Sequence, residues 1–258
     1  MAELYFLGTG GSVATPERDN TSVLVPVERG LLLVDCTGSI VQKIKRLGYD
    51  PRQVRYLFLT HVHPDHVFAL PSLIHGLMFE EGEIRLYGSA ETLSFARRLL
   101  DLFMLRDRKF RTRVVFRPLS PAKRVRLDDS VSVQAMKTPH HSSSLAYRFN
   151  LERENIEILC SGDTPLYPPL FAAARNIDYL IHDSSAPSRY FKRYPALYTM
   201  HTCARDLGRL SRDAAVRCLI PCHFLGELDF HISEIRKEIR REFKGRLIIP
   251  RDLRKISL

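Results

Sequence analysis

Apolar residues recur along this chain in two rhythms. Short runs rich in aliphatic, β-branched and aromatic residues fall at 3–7, 22–35, 55–60 and 83–87. They recur at 113–117, 123–127, 131–137, 144–150, 156–160, 178–182 and 217–222. Runs of this length between turn residues predict strands. Between them the spacing changes to three and four. Residues 90–105 put Leu93, Ala96, Leu99, Leu100 and Phe103 on one face behind Ser89, an N-cap residue, and so predict a helix. Further helices are predicted at 38–47, 202–215 and 233–243, the last capped by Ser233. Two strand-rich halves with helices between them imply a layered α/β/β/α sandwich. No linker, low-complexity segment or short repeat interrupts the pattern, so 1–258 reads as a single domain.

Composition narrows the class. A chain of 258 residues suits one α/β sandwich and can bury about three quarters of its unfolded surface. No stretch of 18 consecutive apolar residues occurs and no basic, then apolar, leader opens the chain, so neither a membrane span nor a signal peptide is expected. Five cysteines (36, 160, 203, 218 and 222) make no Cys-x-x-Cys pair and read as reduced thiols in the cytoplasm. Cys222, beside His223, reads as packing, because strand alternation points neighbours apart.

The candidate chemistry is concentrated in His61-Val62-His63-Pro64-Asp65-His66. Three imidazoles and a carboxylate in six residues, just after the strand-like run 54–60, place potential ligands on a loop at a sheet edge. His61 and His63 are close enough in sequence to grip one ion, and Asp65 and His66, beyond Pro64, can face a second. Imidazole and carboxylate without thiolate suit zinc, manganese or iron at a hydrolytic centre.

With Thr60, this run resembles the His-x-His-x-Asp-His signature of the metallo-β-lactamase superfamily. Further segments resemble its ribonuclease Z branch: 6–12 with 18–22, 31–36, Thr138-Pro139-His140 leading to 146–149, 161–164 and 219–224. Their order covers most of the chain. The resemblance implies a four-layer αββα sandwich and two divalent metal ions, zinc first, with manganese or iron as alternatives. It implies ligands beyond the loop: Asp163 bridging both ions, His140 and His223. Of adjacent His140 and His141 only one should coordinate. The matched ligand precedes the tyrosine of the later segment by seven residues, which selects His140 before Tyr147 and leaves His141 to substrate or solvent. The implied sets are His61, His63 and His140 for one ion and Asp65, His66 and His223 for the other, with Asp163 shared. Paired ions about 3.5–4 Å apart stabilise attacking and leaving oxygens and hold a bridging hydroxide, which Asp65 would orient. Met200-His201-Thr202-Cys203-Ala204 resembles a segment whose histidine is not a ligand but contacts phosphate and protonates the leaving oxygen. Asp183, where the family carries glutamate, would fix the tautomer of His201. His182 reads as structural; His75 and His231 match nothing.

One departure bears on substrate. Ribonuclease Z enzymes usually carry a long Gly/Pro-rich arm, which grips the tRNA elbow, between the third histidine and the bridging aspartate; here His140 and Asp163 are 23 residues apart. Relatives without the arm include cyclic-nucleotide and other small phosphodiesterases. Charge leans the other way, since net +10 favours an anionic partner. Nine Lys/Arg against one acidic residue between Arg106 and Arg126, interleaved with Phe110 and Phe116, are spaced to follow a nucleic-acid backbone or to form a solvated face. The reading is a dinuclear phosphodiesterase acting on RNA or a smaller phosphodiester, without membrane association; the family resemblance implies a homodimer. The alternatives are a hydrolase of a thioester or lactone and a non-catalytic nucleic-acid-binding relative.

Overall fold

Each strand-rich half of the chain closes into its own sheet. In the computed structural model, which describes residues 2–107, 109–121 and 123–258, the first sheet contains β1 (Glu3–Gly8), β2 (Ser22–Val27), β3 (Gly30–Val34), β4 (Val54–Phe58), β5 (Gly82–Gly88), β6 (Thr112–Pro118) and the C-terminal β14 (Lys255–Ser257). The second contains β7 (Arg124–Arg126), β8 (Val131–Lys137), β9 (Leu145–Leu151), β10 (Ile156–Cys160), β11 (Tyr179–Asp183), β12 (Cys218–Cys222) and β13 (Arg246–Leu247). The orders are β14-β1-β2-β3-β4-β5-β6 and β13-β12-β11-β10-β9-β8-β7. The helices are α1 (Ile40–Arg46), α2 (Pro64–Val67), α3 (Leu70–Gly76), α4 (Ala90–Leu102), α5 (Pro168–Ala173), α6 (Ser188–Arg193), α7 (Ala204–Asp213) and α8 (Ile232–Glu242).

Three apolar clusters define the layers. Phe6, Val25 and Phe58 of the first sheet meet Val133, Tyr147, Phe149, Ile158, Ile181 and Ile220 of the second, forming the core between the sheets. The outer face of the first sheet packs on α1, α3 and α4 through Leu33, Leu57, Ile44, Leu73 and Leu93. That of the second packs on α5, α7 and α8 through Leu159, Leu180, Leu170, Leu207 and Ile235. This is the expected αββα sandwich.

Local differences from the sequence reading have identifiable causes. The apolar run 22–35 is two strands, not one, because the chain turns at 28–29 and pairs Val27 with Gly30; Gly30 has φ +134°, open only to glycine. Ser89 does cap α4, accepting from Thr92 N at 3.1 Å, but that helix ends at Leu102. The cap of α8 is His231 instead of Ser233: its ring accepts from Ser233 N at 3.3 Å and Glu234 returns to the His231 N–H. An imidazole replaces the usual hydroxyl or carboxylate, which is why the signal was missed.

Topology gathers one end of the sandwich into a site. β3, β4, β5 and β6 are mutually parallel, as are β10, β11, β12 and β13. Segments leaving β3, β4, β8, β10, β11 and β12 carry the candidate residues, on loops beyond carboxyl ends of strands. At the centre of the core, Phe58 is fully buried, stacks on Tyr87 at 4.6 Å, and meets Phe149 and Tyr147 edge-on at 4.9 and 5.2 Å. We expect Phe58→Ala to lower unfolding stability by about 3–5 kcal/mol, measured by denaturant unfolding. A loss under about 1 kcal/mol would mean that the two sheets do not depend on this contact.

Candidate metal centre

Local sequence explains how the loop after β4 aims its donors. After β4 the chain bends at Val62 and is extended at His63, and Pro64 then begins the one-turn helix α2, where its missing N–H costs nothing. That turn points Asp65 and His66 back toward the strand ends. Gly162, at φ +59°, brings the chain so close to Thr60 that a Cβ would lie 3.0 Å from the Thr60 side chain. It thereby delivers Asp163 from β10. Gly11 is equally constrained, since a Cβ there would lie 3.2 Å from the His223 ring.

The donors form two sets around one shared oxygen. His61 Nε2 and His140 Nε2 lie 2.9 and 3.2 Å from His63 Nδ1, and Asp163 Oδ2 lies 3.9 and 3.8 Å from the first two. On its other side, Asp163 Oδ2 is 3.3 Å from His66 Nε2 and 3.0 Å from His223 Nε2. Asp65 Oδ2 is 3.5 and 3.3 Å from that same pair. Ligands about 2.0–2.2 Å from a tetrahedral ion sit roughly 3.3–3.6 Å apart, within the 2.9–3.9 Å range of these spacings. The ligand atoms within each set lie within 4.8 Å of one another. His66 Nε2, though buried, has no hydrogen-bond partner among the described residues. A buried ring nitrogen without a hydrogen bond, facing two carboxylates, fits an ion.

Hydrogen bonds at the far ring nitrogens set the tautomers. His66 Nδ1 donates to Asp35 Oδ2 at 2.7 Å, and His140 Nδ1 donates to the Met200 carbonyl at 2.8 Å. His61 Nδ1 contacts Thr60 Oγ1 at 3.0 Å, while that hydroxyl and the Thr60 N–H both bond Asp35. Each imidazole is thereby held by Nδ1 with Nε2 facing inward, the carboxylate–histidine arrangement that orients metal ligands. Asp35 went unassigned in the sequence reading. Its signal was a carboxylate ending the apolar run 31–34; its φ of +59° turns it inward.

Electrostatics divide the sets. Burial pushes His61, His63 and His140 below the ordinary histidine value, and neighbouring imidazoles reinforce this. Burial opposes charge on His66 and His223 too, but nearby carboxylates outweigh it: Asp163 and Asp35 raise His66, and Asp163 and Asp65 push His223 up to about 10. Burial works against the Asp65 carboxylate, yet His223 and His66 hold it far below the usual range.

Beside this centre, His201 Nδ1 lies 2.8 Å from Asp183 Oδ2, and Ser185 Oγ and Thr164 N also bond Asp183. The His201 ring is 5.3 Å from His140 and 5.2 Å from His223. Burial lowers its proton affinity, but Asp183 and Asp163 carry it above the ordinary value. His141 is not in either donor set; its ring stands 5.5 Å from His63. His182 is buried against Phe171, with Nδ1 on the Asp183 carbonyl at 2.8 Å. The five cysteines are all buried and free, and none is in a donor set.

The basic stretch is exposed but largely paired, as a solvated face would be. Arg106, Lys109, Arg111, Arg113, Arg124 and Arg126 pair with Asp101, Asp107, Glu81, Glu83, Glu157 and Asp129. Arg97 covers the Phe116 ring at 4.6 Å, so that face is not free to stack a base. Arg108 lies outside the described residues.

Residues 2–219 match the family described as Anti-Pycsar protein Apyc1. The chain belongs to that family. This Apyc1-family chain has the metallo-β-lactamase fold and is similar in sequence to ribonuclease Z proteins. A ribonuclease Z of Methanosarcina mazei is 26% identical, with 100% of this chain and 98% of the relative covered. A ribonuclease Z of Pyrococcus abyssi is 36% identical over 39% of this chain and 34% of its own length. Among solved structures, the metallo-β-lactamase fold protein YhfI from Bacillus subtilis superposes with TM-score 0.80 at 17% identity, covering both chains fully. The short form of human tRNase Z gives 0.78 at 18% identity, covering 99% of this chain and 98% of its own. The family match ends four residues before His223, whereas the Methanosarcina relative spans the whole chain.

Two outcomes follow for the Apyc1-family site. Asp35→Ala should weaken metal binding about 10- to 100-fold, read by competition with a chromophoric chelator; unchanged affinity would remove Asp35 from the centre. His223 at about 10 stabilises the metal-free fold fully below 6.5, and this is lost as pH rises from 6.5 to about 10. Chelated protein should therefore lose Tm between pH 7 and 10 more steeply than metal-loaded protein, whose His223 is already neutral. Parallel scanning-calorimetry profiles would contradict this.

Proposed function

We propose that this chain is a dinuclear metal-dependent phosphodiesterase acting on a small phosphodiester. One observation carries the reading: Asp163 Oδ2 is shared by a set of His61, His63 and His140 and a set of Asp65, His66 and His223. A carboxylate that faces two donor sets is suited to bridge two ions. Imidazole and carboxylate donors accept zinc, and also manganese or iron. Two such ions, when bound, lower the pKa of water and neutralise charge on an in-line phosphoryl transfer.

The remaining roles fall to the chain's own residues. Asp65, with a carboxylate held ionised, accepts a hydrogen bond from the attacking water and orients it as the new P–O bond forms, the water's proton passing to solvent. His201, protonated and braced by Asp183, gives its proton to the leaving oxygen as the old P–O bond breaks. The imidazole–carboxylate pair beside the donor sets favours phosphodiesters over thioesters, whose thiolate leaves without a proton.

Small substrates are favoured because His140 and Asp163 are joined only by the β9–β10 hairpin, turning at 152–155. Nothing between them projects as a grip for a folded RNA. RNA is the second reading, supported by the ribonuclease Z relatives and the net charge of +10. A non-catalytic nucleic-acid-binding role is disfavoured, since every candidate donor position is filled. The proposal takes 1–258 as one hydrolase domain in a reducing, cytoplasmic setting, with two copies assembling as the family implies. No helix of the described residues is long and apolar enough to cross a membrane.

A panel of bis(p-nitrophenyl) phosphate, 3′,5′-cyclic nucleotides, precursor tRNA and a thioester tests this, with metal content by mass spectrometry. We expect two metals per chain, chelator-sensitive hydrolysis of the small phosphodiesters, and loss of both in His63→Ala. His201→Ala should cost about 10²–10⁴-fold on cyclic nucleotides and much less on the p-nitrophenyl ester, whose leaving group is already weakly basic. Thioester hydrolysis alone, or RNA binding without turnover, would overturn the reading.

A further inference from the structure

Adjacent histidines 140 and 141 are held with opposite polarity. His140 donates from Nδ1 to a carbonyl, which leaves a lone pair on Nε2. His141 Nδ1 instead faces a donor that cannot reverse: the Ser143 backbone N–H points at it at 3.1 Å. Ser143 Oγ lies 2.8 Å from the same nitrogen, so Nδ1 is an acceptor and the ring proton resides on Nε2. The loop is fixed from behind as well. His141 N donates to Ser144 Oγ at 3.1 Å, Ser144 N returns to the His141 carbonyl at 3.0 Å, and Ser142 Oγ is anchored on Glu91 at 2.7 Å. Among the described residues no acceptor is recorded for His141 Nε2. The ring is half-buried and stands edge-on to His63, 5.5 Å between centroids.

A neutral ring locked with N–H outward makes a poor metal ligand and a good anion donor. We propose that His141 Nε2–H donates a hydrogen bond to a phosphoryl oxygen of the bound phosphodiester, on the His63 side of the centre. The assignment rests on the phosphodiesterase reading and adds a substrate-contacting residue to it. His201, across the centre beside His140 and His223, is tied by Nδ1 to a carboxylate and serves the leaving oxygen. His141 is tied to an amide N–H, carries no charge, and serves an oxygen that stays on phosphorus. A neutral donor on that oxygen polarises it without bringing a further cation against the donor sets.

The test uses metal-loaded full-length protein and the variants His141→Ala and His141→Gln, the second restoring an N–H donor. Inorganic phosphate binding is measured by calorimetry, metal content by mass spectrometry, and turnover with bis(p-nitrophenyl) phosphate. We expect His141→Ala to retain the wild-type metal content while phosphate Kd and kcat/KM each worsen about 10- to 100-fold, with His141→Gln recovering at least about threefold of that loss. Changes under twofold, loss of a metal in His141→Ala, or a loss that glutamine does not relieve would each overturn the proposal. Wild-type protein that binds phosphate but hydrolyses no phosphodiester would sink the functional reading instead, and phosphate binding would still report on His141.

Discussion

The structure is organised by the cost of placing seven ionisable side chains within a few ångströms of one another under a protein surface. Five imidazoles and two carboxylates in a low dielectric oppose folding unless each finds a partner. Asp163 is the point of balance, because one of its oxygens lies against four of the five rings. The first set keeps its rings neutral by mutual repulsion and burial; the second accepts charge because Asp65 and Asp35 lie on its side. Without ions, protons occupy part of the second set. Metal and protons therefore compete for the same nitrogens, and folding, protonation and metal loading form one coupled equilibrium.

That balance needs rigid delivery, and both sheets supply it. Donors come from segments after β4, β8, β10 and β12, with bracing from Asp35 after β3 and Asp183 at the end of β11. Tyr147 links the sheets directly, its hydroxyl donating to the Leu59 carbonyl at 2.5 Å, just before the histidine loop. His223 holds a left-handed backbone, φ +61°, which costs of order 1–3 kcal/mol for a non-glycine residue. It persists because Thr21 Oγ1 takes its N–H and the next residue bridges to Gly11.

Much of this was legible in the chain, and the illegible part has physical causes. The His61–His66 run announced itself because dense polar groups after an apolar strand have few structural explanations. Strand rhythm placed most elements, since each sheet buries a face. It could not separate β2 from β3, because both are apolar throughout and the turn between them is short. β13 and β14 are two and three residues long and arise from tertiary pairing alone. Asp35 could be seen as a residue but not as the brace of His66, a contact across 31 positions. The basic run kept two readings open for the same reason: charges that look unopposed in sequence meet Glu81, Glu83 and Glu157 from other elements.

The histidines show most clearly what a sequence withholds. Chemically identical side chains acquire different capacities from whatever touches the ring nitrogen that faces away from the centre. A carbonyl or hydroxyl there, as at His140 and His61, yields an inward lone pair, and burial outweighs what support the carbonyl gives to positive charge. A carboxylate there, as at His201, raises the proton affinity and makes an acid. A backbone N–H there, as at His141, reverses the polarity and leaves a neutral donor. The backbone carbonyl or amide is contributed by fold geometry and not by residue type, so no motif encodes it. Adjacent residues in one loop can thus face one substrate with opposite hydrogen-bonding character, which lets a site crowded with imidazoles both bind cations and contact an anion.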